Sequence, residues 1–271
     1  MKNKIGLAIV GISITALTGL IVLLTTSTGQ TVIDPGQKGH EDKINQEFVD
    51  TKRATFPVVD YVETDVPDTA RRLKGRKYGL IPILNPSITG NSKEAIINEW
   101  GQNLIALPIK ESQVVVLGKI VGTRAYLSDN RQAVYSEFKI GVEKIFKNET
   151  KTNVGVTDVI AAERQGGIVR FPSGFEQWVF IVGQGMPVLN KRYVFFLSYE
   201  AVGLVSQKFD LTILTGYEIS DGHIFPLDSP GDGSHPIETY YKGKSEGVLL
   251  EDLEKSLKSR LHDLPKKEDK Q

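Results

Sequence analysis

The residues of this chain that could do chemistry are few, because it contains four histidines and no cysteine. The missing cysteine excludes a disulfide framework, a thiolate zinc site, an iron–sulfur cluster and a cysteine nucleophile. His40 lies in a glycine- and threonine-rich stretch and His262 lies near a charged tail, so His223 and His235 are the better candidates. No G-x-S-x-G elbow, HExxH motif or phosphate-binding glycine loop occurs. The sequence therefore assigns no catalytic or cofactor-binding residue.

Oxygen and imidazole donors are concentrated between residues 221 and 238, and such donors could gather around Ca²⁺, Zn²⁺ or Mn²⁺. Their spacing matches no metal loop. A turn explains Asp221, and the run from Asp228 to Gly233 is typical of a surface loop. We therefore expect structural roles, no metal and no cofactor, with His223, Asp228, Asp232 and His235 as weak metal candidates. The full cluster is Asp221, His223, Asp228, Asp232, His235 and Glu238.

A second polar cluster surrounds the Gly166-Gly167 pair, where we expect a long loop between two strands. Loops of this kind often carry binding residues. An oligonucleotide-binding barrel would need aromatic residues within a basic groove. Because the chain has 33 basic and 33 acidic residues, we expect no nucleic-acid partner. The cluster consists of Arg164, Arg170, Phe171, Phe175, Glu176 and Gln177.

The elements that would position these residues begin with two long strands. Val114 to Val121 is an almost unbroken β-branched run, which predicts a strand covered on both faces. Ser128–Asn130 supplies a turn, and apolar residues then alternate with polar ones from Val134 to Val142. The alternation slips at Ile145–Phe146, which predicts a bulge or the end of the strand there. The two segments are expected to form an antiparallel hairpin.

The remaining chain predicts more short strands and two helices. Asp221-Gly222 lies between β-rich segments and predicts a tight hairpin turn. Seven or eight short strands at this spacing favour an antiparallel barrel or sandwich, and closure into a barrel is the usual way to remove free strand edges. A short helix is predicted from Ser92 to Trp100, and Leu250, Leu253, Leu257 and Leu261 predict a C-terminal amphipathic helix. The other apolar stretches are Val154 to Ala162, Trp178 to Val182, Tyr193 to Tyr199, Leu211 to Leu214 and Tyr217 to Ile219.

The N-terminus predicts membrane tethering. Lys2 and Lys4 precede the uncharged run Ile5 to Leu24, which is long enough to span a bilayer as a helix. We expect a single-pass anchor with the C-terminal part outside the cytoplasm; signal cleavage near Ser27 or Gly29, giving a secreted or periplasmic protein, is the alternative. The expected organisation is an anchor or signal (1–26), a stalk and irregular segment (27–90), a β-barrel domain (91–230), and a loop, helix and charged tail (231–271).

Two features lie between the anchor and the barrel. The basic residues Arg71, Arg72, Lys74, Arg76 and Lys77 predict a solvated face. The segment from Ile81 to Pro86 carries two prolines and predicts an extended segment that lies on the domain.

The stretches SQVVVLGKIVG (112–122) and AVYSEFKIGVEKIFK (133–147), followed by Gly166-Gly167 and RYVFFL (192–197), resemble a family of bacterial exported β-domain proteins that are N-terminally anchored. The resemblance covers about Glu111 to Leu227, with Ser136 where threonine is usual. It implies a small barrel similar to OB-like and netrin-type modules, and it implies no activity, because the matching residues are strand and turn positions.

Two functional hypotheses follow. The first is a non-catalytic binding module that is held at the membrane and whose partner is a protein, a peptide or an envelope component. The alternative is a metal-dependent or hydrolytic enzyme that uses the region from His223 to His235. Convergence of both histidines in one cleft with Asp228 or Asp232 would favour the enzyme.

Overall fold

The structure is a computed structural model, and it describes residues 53–62, 75–80, 83–84, 93–99, 104–150, 154–201, 209–229 and 235–263. All of them belong to one compact unit, Gln46–Gln271. None of the helices among these residues is long and apolar enough to cross a membrane. The predicted anchor Ile5 to Leu24 lies outside the described residues.

The described chain is mostly β, as predicted. Its helices include α1 (Pro236–Thr239) and α2 (Glu246–Asp263), and residues 75–78 are helical as well. Its strands are β1 (Val58–Asp60), β2 (Lys93–Glu99), β3 (Val114–Leu127), β4 (Val134–Asn148), β5 (Val159–Gln165), β6 (Gly167–Arg170), β7 (Glu176–Val182), β8 (Arg192–Ala201), β9 (Phe209–Ser220) and β10 (His223–Pro226).

Five of the strands form a closed ring in the order β3-β4-β5-β9-β8, with β8 pairing back to β3. All neighbours in the ring are antiparallel except β5 and β9, which are parallel. A ring leaves its strands without free edges. Its interior is filled by apolar side chains such as Ile120, Phe138, Ile140 and Phe195, all of which are fully buried. The domain is therefore barrel-like.

The β3–β4 hairpin agrees closely with its prediction. Val114 and Val116 pack into the ring, whereas Val115 and Leu117 pack against the cluster beneath α2, so both faces of β3 are covered. Val115 pairs with Lys147 and Val116 pairs with Ile145, which leaves Phe146 as an extra residue. The predicted bulge is therefore confirmed, and its position follows from the break in side-chain alternation.

A second, four-stranded sheet has the order β1-β6-β7-β2. The predicted helix from Ser92 to Trp100 is wrong, because residues 93–99 form β2 and pair in parallel with β7. Capping residues favoured a helix locally, but pairing with the edge of β7 satisfies the same backbone groups, and β-branched Ile96 and Ile97 suit a strand. Within the predicted irregular segment 27–90, β1 pairs with β6.

Helix α2 covers the outside of the ring on one side. Leu249 and Leu253 are fully buried against β-strand residues such as Val194 and Phe196. Leu250 and Leu257 are partly buried in the same cluster, which confirms the predicted amphipathic helix. The apolar stripe of the helix explains why the outward-facing residues of β3 and β8 are apolar as well.

Residues 75–80 and 83–84, here called the strap, lie on the tip of the β3–β4 hairpin. Asn130 donates from Nδ2 to the Gly79 carbonyl at 2.9 Å, and the Ile83 and Leu84 amides donate to the Gln132 carbonyl. Leu84 is buried, as expected for an extended segment lying on the domain. The other residues of that segment, and Arg71, Arg72 and Lys74 of the basic cluster, lie outside the described residues.

Candidate functional site

A buried ion pair joins strand β5 to the segment that follows β10. The guanidinium of Arg164 donates from Nη1 and Nη2 to the two oxygens of Asp228 at 2.6 and 2.8 Å. Both side chains are essentially inaccessible to solvent. Asp228 also accepts from the Gly185 amide, and Arg164 donates to the Gly185 carbonyl. The prediction that Asp228 belongs to an exposed surface loop is wrong, because this pairing buries it.

The same arginine helps to close the ring where its backbone pairing is shortest. The seam between β5 and β9 has two residue pairs, Ala162 with Leu211 and Glu163 with Thr212. Arg164 extends it by donating to the carbonyls of Ile213 and Leu214 on β9, at 3.3 and 3.0 Å. These bonds occupy the guanidinium, so Arg164 has a structural role.

Lys77 of the strap closes the same seam from the opposite face. Its Nζ donates to Glu163 Oε1 at 3.1 Å and to Thr212 Oγ1 at 3.2 Å, so it joins the two strands. Tyr78 also donates to Glu163 and stacks on Tyr135 with a centroid distance of 4.7 Å. Glu163 is therefore a buried carboxylate with a charged partner, which is the usual requirement for burying one. The prediction that Lys77 belongs to a solvated face is therefore wrong.

The turn at residues 220–223 is confirmed. β9 and β10 pair with Ser220 opposite His223, and Asp221 and Gly222 have φ values of 50° and 73°. Positive φ at both central residues is the signature of a type I′ turn. The ring of His223 lies on an exposed part of β10, with Nδ1 2.9 Å from the Asp221 carbonyl oxygen. Asp221 is therefore a turn former.

The other candidates of this cluster also have structural partners. His235 precedes α1, and its Nδ1 accepts from the Ile237 amide at 3.3 Å, which is the arrangement of a helix N-cap. Glu238 accepts from the Ser229 hydroxyl at 2.8 Å. Asp232 lies outside the described residues. Within the described ranges, no group of three or more His, Asp or Glu side chains could hold a metal ion.

The second predicted cluster is a hairpin, so the expectation of a long open loop is wrong. β6 and β7 pair from Gly167 opposite Val179 to Arg170 opposite Glu176, and the turn between them is short. Phe171 and Phe175 are buried and stack on one another. The hairpin uses its aromatic residues for packing.

The remaining polar members of this cluster have partners in or near the hairpin. Arg170 pairs with Glu176 at 3.1 Å, and Gln177 donates to the Ile83 carbonyl of the strap at 3.3 Å. The backbone of Gly166 and Gly167 has positive φ, with values of 113° and 154°.

An open groove that the sequence did not indicate lies between α2 and residues 104–107. It has a volume of about 460 Å³. One wall consists of Ile105, Ala106 and Leu107, and Tyr240 and Tyr241 lie at the end of α1 next to them. The other wall is formed by α2 with the polar residues Asp252, Lys255, Ser256 and Ser259. The volume is within the range of about 300–1,000 Å³ that is common for small-ligand sites.

The base of the groove is rigidly held by tyrosines. Tyr217 donates to the Ala106 carbonyl at 2.7 Å, and Tyr241 donates to Asp252 Oδ2 at 3.1 Å. Burial, reinforced by the hydrogen bond to Asp252, raises the pKa of Tyr241 above its usual value, so it remains a donor near neutral pH. Tyr240, by contrast, is 52% exposed and offers an aromatic face to solvent.

The chain matches no family model, and comparison with curated proteins and with solved structures gave no match. The site is therefore characterised by its own geometry.

Proposed function

We propose that this protein is a non-catalytic binding module with an OB-like barrel, tethered to the membrane outside the cytoplasm, and that the groove beside α2 is its binding surface. The observation that carries the proposal is the groove itself, which combines an exposed tyrosine, an apolar wall and a polar helix face. Binding sites typically combine an apolar lining with a few polar groups.

The strand order supports the OB-like part of the proposal. Numbered along the ring strands alone, the order β3-β4-β5-β9-β8 corresponds to 1-2-3-5-4 closing on 1, with the third and fifth strands parallel. This order is the one expected of the five-stranded Greek-key barrel that we propose. The resemblance of residues 112–147 to anchored bacterial exported proteins points to the same architecture.

Coverage of the ring directs the proposal to the groove. OB-like barrels commonly bind ligands on the face of their second and third strands, which here are β4 and β5. The strap covers part of that face by stacking Tyr78 on Tyr135 and pairing Lys77 with Glu163. The groove on the α2 side carries no such cover among the described residues, so it is the better candidate surface.

The enzyme alternative loses support because its residues are engaged elsewhere. Asp228 is paired with Arg164, His235 caps α1, and His223 lies on exposed β10 beside its own turn. A general base needs a substrate proton within hydrogen-bonding reach. The hydrogen bonds described above give these side chains structural roles instead.

Site-specific photocrosslinking in native envelopes tests this proposal. A photoreactive residue replacing Tyr240 in the full-length chain should give a discrete adduct, whereas one replacing the exposed Lys139 on β4 should give none. A third probe at Gly174, where a new side chain meets nothing within 4 Å, samples the β6–β7 hairpin. Adducts from Lys139 or Gly174 but not from Tyr240 would refute the assignment of the groove.

The tether is tested separately by fractionation. Because Ile5 to Leu24 is long enough to span a bilayer, the full-length chain should sediment with membranes and be accessible to protease only from outside. Recovery of the intact chain in the cytosol would contradict this part of the proposal.

A further inference from the structure

The lysines beside the groove form no salt bridge among the described residues, although Lys258 adds to the effect of Lys144 in lowering the pKa of Glu254. Lys244 contacts the ring of Tyr240, Lys255 lines the groove, and Lys242 and Lys258 are their neighbours in the chain. Among the described residues, none of these four lysines forms a salt bridge. The nearby carboxylate of Glu251 on α2 forms none either. The other acidic side chains of the region are engaged: Asp252 with Tyr241, Glu254 with Lys144 and Glu246 with Arg192. Tyr241 is uncharged, so Asp252 keeps its negative charge; the four lysines against Glu251 and Asp252 leave four positive and two negative charges at the rim, a modest positive excess.

Charge alone does not describe the groove, because its wall and one end are apolar. Ile105 is 59% exposed and Tyr240 is 52% exposed, and both side chains line the groove. Tyr240 stands nearly perpendicular to Tyr241, with a centroid distance of 4.7 Å and an angle of 71°. Lys244 Nζ lies 3.9 Å from the centroid of the Tyr240 ring. A cation and an exposed aromatic face are thus presented together.

Helix α2 adds hydrogen-bonding groups on the opposite side. Asp252, Ser256 and Ser259 line the groove and recur at a spacing of three to four residues, so they form one stripe along the helix. A ligand that satisfies all three surfaces needs an apolar face, several hydroxyl groups and negative charge. A pyranose ring has C–H groups on its face and hydroxyl groups at its edge, and an acidic substituent supplies the charge.

Resting on the proposed function, we infer that the groove binds a short run of an acidic saccharide, whose sugar rings carry carboxylate or phosphate groups. One ring packs on Tyr240 and Ile105, because apolar area removed from water stabilises the complex. Hydroxyl groups of the ligand bond to Asp252, Ser256 and Ser259. The acidic groups lie toward Lys244 and Lys255, where the attraction is screened by salt.

Fluorescence anisotropy with the purified full-length chain tests this inference. The labelled probes are a tetragalacturonate, a phosphorylated mannotetraose, a neutral chitotetraose and a tetraglutamate of comparable length. We expect at least one acidic saccharide to bind about tenfold or more tightly than both chitotetraose and tetraglutamate, a difference of about 1.4 kcal/mol. The two acidic probes distinguish carboxylate from phosphate as the recognised group. Raising the salt concentration should weaken the binding.

Variants assign the binding to the groove. Tyr240→Ala should weaken binding by about tenfold, the scale of an aromatic hot spot, and Lys244→Gln or Lys255→Gln by roughly threefold to tenfold with a smaller salt dependence. Lys139→Gln is the matched control, because it removes an exposed lysine that does not line the groove and should leave binding unchanged. Unchanged melting curves for all four would show that folding is intact.

The possible failures are distinguishable. Equal binding of tetraglutamate would reduce the groove to a cationic patch, and equal binding of chitotetraose would remove the role of charge; either overturns the inference. Loss of affinity in Lys139→Gln would place the binding elsewhere. If no saccharide binds while the Tyr240 crosslink persists, the ligand class is wrong and the proposed function stands. If both fail, the groove is not a binding surface.

Discussion

Two polar regions adjacent in the sequence have opposite fates in the structure. Between residues 221 and 238, the described polar side chains are engaged in a turn, a helix cap or the buried pair of Arg164 with Asp228. Between residues 240 and 259, Tyr240 is exposed, and Lys244 and Lys255 form no salt bridge with any residue that the structure describes. Both regions contain several charged residues.

Hydrogen-bonding and ion-pair partners within the protein, more than residue types, therefore distinguish a structural region from a candidate binding region. Asp228 satisfies Arg164, which would otherwise be an uncompensated charge in the ring. Lys244 forms no salt bridge with a carboxylate among the described residues, and it is exposed to solvent. Polar residues that hold the fold should therefore be costly to replace, and those that bind ligands should be cheap to replace in the free protein.

The largest expected effect tests the region between residues 221 and 238, here called the closed region. Asp228→Ala should lower the free energy of unfolding by about 3–5 kcal/mol, because it leaves Arg164 charged and buried without its counterion. The double variant Arg164→Met with Asp228→Leu should recover much of that loss, since it removes both charges. Urea unfolding of each variant measures the difference. A loss below about 1 kcal/mol for Asp228→Ala would show that water reaches the pair.

The turn at Gly222 gives the next largest effect. Gly222 has φ of 73°, and a new side chain would meet nothing within 4 Å, so the penalty of Gly222→Val comes from the backbone alone. We expect a loss of roughly 1–3 kcal/mol, the scale of one strained position. Thermal unfolding of this variant gives the value.

Asp221→Asn is the matched control for that experiment. It should be nearly neutral, because asparagine tolerates the same conformation and Asp221 is expected to bind nothing. Loss of a binding activity in Asp221→Asn with an unchanged melting curve would instead place Asp221 in a functional site and blur the contrast between the two regions.

Chelation should have no measurable effect on stability. The described carboxylates and histidines of the closed region are held by protein partners, and no ligand set for a metal is assembled among them. A metal bound only by the folded state would stabilise it directly, so its removal would lower the melting temperature. The full-length chain should therefore melt at the same temperature before and after treatment with EDTA. A large decrease would indicate a metal site in the region of Asp228 to Glu238.

The smallest expected effect on stability is in the region between residues 240 and 259, here called the open region. Tyr240→Ala should change the free energy of unfolding by less than about 0.5 kcal/mol, as is usual for exposed positions. Tyr241→Ala is the contrasting variant, because Tyr241 is 1% exposed and should cost several times more. Denaturant unfolding of the two variants side by side measures the contrast. Equal losses would mean that Tyr240 is part of the packing.

Much of the β-structure could be predicted because its signals are local. The β3–β4 hairpin, its bulge at Phe146 and the turn at Asp221-Gly222 each follow from side-chain alternation or from the φ values that a turn requires. The helix predicted over residues 92–100 failed because pairing with β7 outweighed the local capping signals. A local sequence pattern does not show which strand edge lacks a hydrogen-bonded neighbour.

The candidate site depended on contacts that are distant in the sequence. Arg164 and Asp228 meet only because the ring closes, and the groove needs Ile105 and Tyr240 to lie side by side. Arg164 was noticed in the sequence only as a weak loop candidate. An exposed tyrosine followed by lysines was the one local signal for the groove, and many surface segments share it.

The short seam between β5 and β9 has a consequence for the order of folding. Hairpins such as β3–β4 connect neighbouring segments and can form early, whereas the seam joins residues that are about fifty positions apart and gains two backbone pairs. The bonds of Lys77 and Arg164 that complete it form only once both strands are in place. We therefore expect ring closure to be a late step, and the amide protons of β5 and the facing part of β9 to exchange before those of β3 and β4. The ring would then open first at the seam between β5 and β9.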